Sequence, residues 1–203
     1  MRVTLINGSP KSDNSASGVI INELVRLLRT QVDVNTIKAM NYIGHYDDII
    51  RDTLVLVFPL YCDGVPSHLL RFMEQMYSHC QSCADKPAVY AVINAGFFEG
   101  IQCKPAMDIV KNWANRTGLV WSGGVGIGGG GMIADVQKVP FGKGPKKSIG
   151  KALDELARHI AEGNSMPAKY VNHNFPRFLY RWLAHHGWKS QAKKNGTTLG
   201  KAY

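Results

Sequence analysis

The chain has 203 residues, 45% apolar and 19% charged, a balance that builds one packed domain and excludes a largely disordered chain. The net charge of +9 is lopsided: residues 1–137 carry 11 basic and 12 acidic side chains, residues 138–203 carry 13 and 3. Attraction to anions therefore belongs to the C-terminal third, and with no zinc-finger, RRM or basic-zipper pattern no nucleic-acid partner is expected.

Five apolar runs read as strands in chain order: Val3–Asn7, Val32–Ile37, Thr53–Pro59, Ala88–Asn94 and Leu119–Ile127. Between the first two, residues 19–28 place Ile20, Leu24, Leu27 and Leu28 on one face of a predicted helix. The crossover from Met40 to Arg51 is short and polar and predicts only a brief helix. Pro66 to Tyr77 repeats the helical spacing with Leu69, Phe72, Met73 and Met76, and Pro66 suits a first helical turn. Met107 to Ala114 and Lys151 to Ile160 repeat it again. Strands that are continuously apolar are buried on both faces, as parallel strands are. Right-handed crossovers put helices on both sides. The expected fold is an α/β flavodoxin-like three-layer sandwich with a five-stranded parallel sheet in the order 2-1-3-4-5. The expected core domain is residues 1–165, with residues 166–203 a C-terminal helical extension.

Three loops follow strands 1, 3 and 4, around the point where such a sheet binds ligands. The first, Gly8-Ser9-Pro10-Lys11-Ser12-Asp13-Asn14-Ser15-Ala16-Ser17, puts hydroxyls and a lysine ahead of a helix N-terminus. That arrangement suits a phosphate, although a plain Ser-capped turn has the same composition. The second, Pro59-Leu60-Tyr61-Cys62-Asp63-Gly64-Val65-Pro66, is stiff and carries an aromatic face suited to a flat heteroaromatic ring. An ordinary strand-to-helix turn explains it equally well by itself. The third, Asn94-Ala95-Gly96-Phe97-Phe98-Glu99-Gly100, combines hydrogen-bonding groups, a glycine for close approach and two aromatics that either cover a pocket or pack on a helix.

Taken together, GSPKSDNSAS, FPLYCDGVP and NAGFFEG resemble the NAD(P)H-dependent FMN reductase group of flavodoxin-like oxidoreductases, over about residues 1–165. The resemblance implies bound FMN, with NADPH or NADH as electron donor and a small quinone-, dye- or flavin-like acceptor. By it, Ser9, Lys11, Ser15 and Ser17 hold the FMN phosphate. Pro59, Leu60, Tyr61, Cys62 and Asp63 border the isoalloxazine, with Asn94, Gly96, Phe97 and Glu99 on its other side. The chain departs from the pattern at Ala16, where relatives often carry Asn. The chemistry is the cofactor's, so no catalytic acid or base is nominated. A flavodoxin-like electron carrier and a nucleotide sensor without enzymatic activity are the competing readings.

Residues 123–131, Gly-Gly-Val-Gly-Ile-Gly-Gly-Gly-Gly, formally contain G-x-G-x-x-G from Gly126 to Gly131. A dinucleotide fingerprint opens directly into a helix with an acidic residue ~20 positions on. Here Lys146 and Lys147 stand at that distance, and residues 129–148 read as a long Gly-, Pro- and Lys-rich loop. The expectation is a flexible edge of the flavin pocket. Cys80 and Cys83 form a C-x-x-C pair, too few ligands for a cluster, and no metal is expected. With no apolar run of ~18 residues and no signal-peptide layout, the expected location is cytoplasmic. The basic extension places Phe175, Phe178, Leu179, Trp182 and Leu183 on one helical side. Self-association as a homodimer or larger is expected of it, and membrane association is not. Its lysines and arginines favour NADPH over NADH through the 2′-phosphate.

Overall fold

The structure is a computed structural model and describes residues 1–11, 14–40, 42–43, 45–81 and 86–197. The strands are β1 (Arg2–Asn7), β2 (Asp33–Lys38), β3 (Thr53–Pro59), β4 (Ala88–Asn94), β5 (Val120–Ile127) and β6 (Lys169–Val171). The helices are α1 (Ala16–Leu28), α2 (Ser67–Gln81), α3 (Lys104–Thr117), α4 (Gly130–Asp135), α5 (Lys147–Glu162) and α6 (Arg177–Lys194), with short 3-10 turns at Tyr46–Asp48, Gly100–Cys103 and Gly144–Lys146.

All strand pairs are parallel, in the order β2-β1-β3-β4-β5-β6. Alternate residues of each inner strand feed opposite layers. Val3, Leu5, Val55, Val57, Val92 and Val125 pack with α1 and α5, while Ile6, Leu54, Leu56, Phe58, Ala91 and Ile93 pack with α2 and α3. Burial on both faces is what made these strands continuous apolar runs. The register brings Asn7 beside Val57, Pro59 beside Asn94 and Asn94 beside Ile127, so the carboxyl ends of β1, β3, β4 and β5 lie side by side.

The five-stranded expectation is corrected by β6, which pairs Lys169–Val171 with Val125–Ile127. Glycine makes the room. A Cβ on Gly126 would lie 2.7 Å from the Tyr170 ring, and one on Gly100 would lie 2.4 Å from the Val171 carbonyl oxygen. The core therefore runs past Ile160 to take in Met166 and His173, both buried. The expected long loop over 129–148 is likewise corrected: it holds α4 and a 3-10 turn.

The chain divides into two compact units, Met1–His173 and Asn174–Tyr203. In the second, α6 runs for 18 residues behind Pro176. No described helix is long and apolar enough to cross a membrane.

Candidate cofactor site

A cleft of about 460 Å³ opens at the carboxyl ends of β1, β3 and β4, within the size range of small-molecule sites. Its first wall is the β1–α1 loop. The chain leaves β1 through Gly8, where a Cβ would lie 2.6 Å from Leu69 Cδ2 and 2.8 Å from Phe58 Cβ. His68 Nε2 meets the Gly8 carbonyl oxygen at 2.9 Å and fixes that exit. Asn7 Oδ1 accepts from the Ser9 amide at 2.9 Å, Ser9 Oγ from the Lys11 amide at 3.2 Å, and Ser15 Oγ from the Gly18 amide at 3.3 Å. Those contacts use lone pairs of the two hydroxyls and leave their protons able to donate. Ser15 is the N-cap of α1, whose first amides have no carbonyl one turn back to bond. Ser9, Lys11, Asn14, Ser15, Ala16 and Ser17 all line the cleft, so the wall presents hydroxyls, one lysine and the positive end of a 13-residue helix.

Ser17 differs from its neighbours. It is buried, and its hydroxyl donates to Asn94 Oδ1 at 2.8 Å across 77 residues of sequence. That bond ties the start of α1 to the end of β4.

The second wall is Pro59, Leu60 and Tyr61. The Leu60 amide donates to the Asn94 carbonyl at 2.9 Å. Tyr61 and Gly64 then exchange both backbone bonds, at 3.2 and 2.9 Å, around Cys62 and Asp63, whose φ values are 47° and 57°. Two successive left-handed residues make a type I′ hairpin turn, at roughly 1–2 kcal/mol each for non-glycine residues. The turn stops the chain at Tyr61, which stays 41% exposed on the cleft. Cys62 and Asp63 stand exposed at the tip of the turn and do not line the cleft.

Asn94 and Gly96 form the third wall, while Phe97, 58% exposed, and half-buried Glu99 lie outside the lining. The fourth wall is Gly130, Gly131 and Ala134 of α4, from the segment that sequence reasoning put at the edge of the flavin pocket; that the segment is helical there was not expected. The Gly130 amide donates to the Ala95 carbonyl at 2.6 Å, and a Cβ on Gly130 would press on Asn94 Nδ2 at 2.9 Å. By contrast, Cβ atoms built on Gly96 and Gly131 meet nothing within 4 Å. Both therefore face open space along the cleft. Gln137 Nε2 donates to the Asn14 carbonyl at 3.4 Å and joins the fourth wall to the first.

Behind α4, Gly129 takes φ 69° as its N-cap. Its carbonyl oxygen sits 3.1 Å from Nε2 of buried His173, which fixes the proton on Nε2 because a carbonyl only accepts. Burial pushes the His173 pKa below the usual imidazole value, and nearby Lys146 adds to the shift, while the Gly129 and Pro145 carbonyls oppose it. Lys146 is also buried. Its ammonium lies 4.4 Å from the Phe141 ring centroid, and desolvation lowers its pKa against the pull of Glu23.

The glycine run does border the cleft through Gly130 and Gly131, while Gly123, Gly124, Gly126 and Gly128 are closed in by neighbouring atoms. Six of its residues belong to β5 and the turn after it, and a Cβ on Gly128 would lie 2.0 Å from the Phe98 carbonyl oxygen. A helix does follow directly, but of only six residues. Among the described residues, the thiols take no part in the lining. Cys103 is buried, donates to the Ile93 carbonyl at 3.4 Å and is pushed up to about 12 by desolvation. Cys80 is buried, and Cys83 lies outside the described residues.

No protein-family model matches the chain, and no curated protein matches it in sequence. Solved structures do. The flavodoxin of Streptococcus pneumonia TIGR4 is 14% identical, with 80% of this chain and 99% of that one covered at a TM-score of 0.57. The two-electron reduced flavodoxin of Megasphaera elsdenii is 16% identical, covering 79% and 98% at 0.55. An FMN-dependent NADH-azoreductase from Bacillus anthracis, solved in complex with FMN, is 13% identical, covering 79% and 99% at 0.56. At these identities the likeness is one of fold, and the fold is flavodoxin-like.

Proposed function

We propose that the protein is an FMN-dependent NAD(P)H oxidoreductase that serves a small quinone-, dye- or flavin-like acceptor. The observation that carries this reading is the cleft itself, which has an anion-binding end and a flat, open end. At the first, Ser9 and Ser15 each keep a hydroxyl proton, Lys11 brings positive charge, and the N-terminus of α1 adds its dipole. At the second, Gly96 and Gly131 leave space that any side chain would occupy, and Tyr61 supplies an aromatic edge. These residues fit FMN, with its terminal phosphate and planar ring. Bound there, FMN supplies hydride acceptance from a nicotinamide and electron transfer to the acceptor.

The chain's own groups bind and orient. Ser9 and Ser15 donate to phosphate oxygens. Ser17 serves indirectly, by holding Asn94 and so the β4 edge against α1. Pro59 and Leu60 restrict one side of the cleft, while Tyr61 and exposed Phe97 limit what reaches its mouth. Cys62, Asp63 and Glu99 act through the shape of their loops.

Titration of the purified protein with FMN, followed by anaerobic addition of NADPH or NADH, tests the reading. Binding with quenched flavin fluorescence and rapid bleaching is the expected result. Slow bleaching would instead favour an electron carrier, and failure to bind FMN would end the flavin assignment. Gly131→Leu sharpens the test. It should lower FMN affinity tenfold or more without loss of thermal stability, because nothing in the protein lies within 4 Å of the first added carbon and a helical glycine is replaced by a better helix former.

A further inference from the structure

The segment from Asn174 onward is a compact unit of its own built on α6. Phe178, Trp182, Leu183 and Trp188 are exposed at 75%, 56%, 46% and 61%. Phe178 and Trp182 lie one turn apart, as do Leu179 and Leu183, so the first two turns carry a paired apolar ridge. Residues 174–203 contain six lysines and arginines and no aspartate or glutamate, a net charge of +6, while residues 1–173 sum to +3.

We propose that α6 docks on the surface of an anionic phospholipid bilayer and lies in the headgroup layer. The apolar and basic groups of α6 are interspersed and not segregated into two faces, and exposed tryptophan and phenylalanine beside lysine and arginine suit that layer, where one side chain meets acyl carbon and its neighbour meets phosphate. No described helix is long and apolar enough to cross, so α6 rests on the surface and does not span it. Charge selects the occupant. A second copy of the chain offers another +6 helix and a +3 body, whereas acidic headgroups offer the complement. A nucleic acid would meet the same cations, but it gives Leu179 and Leu183 nothing apolar to enter.

Co-sedimentation of the full chain with vesicles tests this. One set is pure phosphatidylcholine, the other phosphatidylcholine with one-third phosphatidylglycerol. Binding to the acidic vesicles alone, weakened by salt and accompanied by a blue shift of tryptophan emission, is the expected result. The triple variant Arg181→Glu, Lys189→Glu, Lys193→Glu should lower partitioning by at least about tenfold. Phe178→Ser with Trp182→Ser should lower it at low salt too. An unchanged melting temperature in each variant shows that the body still folds. Equal binding to both vesicle types, or to neither, overturns the proposal. So does a concentration-dependent dimer that Phe178→Ser with Trp182→Ser dissolves, which is the self-association expected from sequence. Tight binding to an oligonucleotide with none to vesicles overturns it as well.

Discussion

The chain leaves β1 and β5 by similar-looking routes, each a run of small residues that opens into a helix on the same side of the sheet. After β1, the small residues Gly8 and Ser17 face inward, but Ser9 and Ser15 turn lone pairs to backbone amides and keep their protons for the cleft, and a 13-residue helix follows. After β5, most of them face inward. Gly128 is held between the Phe98 carbonyl and the Gly100 amide, Gly130 sits against Asn94, and the helix has six residues. Only Gly131 opens to the cleft with the freedom that Gly96 has across from it. Smallness at one junction lines a cleft with hydroxyls. At the other it allows backbones to touch, and the wall so formed is closely packed.

The largest effect that bears on this contrast is expected at Gly128. Its added Cβ would lie 2.0 Å from the Phe98 oxygen and 2.6 Å from the Gly100 nitrogen, both backbone atoms with little room to shift. Gly128→Ala should lose about 3 kcal/mol, which thermal unfolding would read as a fall of about 6–12 °C. A melting temperature within error of wild type would erase the distinction between the junctions.

A smaller effect separates structure from binding at the β1 junction. Ser15→Ala removes the cap of α1 and should lose about 1 kcal/mol. Ser15→Asp restores the cap and most of that stability, yet sets a carboxylate against a phosphate. FMN titration should therefore rank wild type above Ala and Ala above Asp, while melting temperature ranks Asp above Ala. The same order in both measurements would place the anion elsewhere. Ser17 is unsuited to this test, because a carboxylate there would face Asn94 Oδ1.

The smallest effect is in pH. Above about 6.5, His173 is neutral both folded and unfolded. As pH falls below that, the unfolded chain takes up a proton that the buried ring, with its lowered pKa, resists. Stability is thus lost toward acid, at no more than about 1.4 kcal/mol per pH unit. His173→Phe should flatten that acid limb relative to wild type in urea unfolding at a series of pH values. An unaltered slope would mean that His173 titrates alike in both states.

The inner strands and the helices α1, α2, α3 and α5 were legible in the sequence because burial on one or both faces leaves an apolar rhythm that needs no partner to be seen. The first loop was legible too, since a serine cap ahead of a helix is a local feature. What escaped was non-local. β6 is three half-buried residues, Lys-Tyr-Val, too short to show a period, and it exists because glycines in β5 and the Gly100 turn leave a slot. α4 begins with two glycines, the poorest helix formers after proline, and is held by the Ala95 carbonyl and by packing of Ile133. Cys62 and Asp63 were grouped with Tyr61 by the family resemblance, and their positive φ angles put them at the tip of a turn outside the lining. The bond from Ser17 to Asn94 spans 77 residues, and no reading of either loop alone contains it.

The contact between His173 and Gly129 also has a consequence in time. During synthesis β5 is complete long before β6, and residues 128–168 must be added in between. At about 5–20 residues per second that interval is on the order of seconds. Throughout it the outer side of Val125–Ile127 is an unpaired strand edge, able to recruit a strand from another nascent chain. The Gly129 carbonyl meanwhile waits for its imidazole, so the ribosome releases a finished sheet and a finished fourth wall in the same few residues.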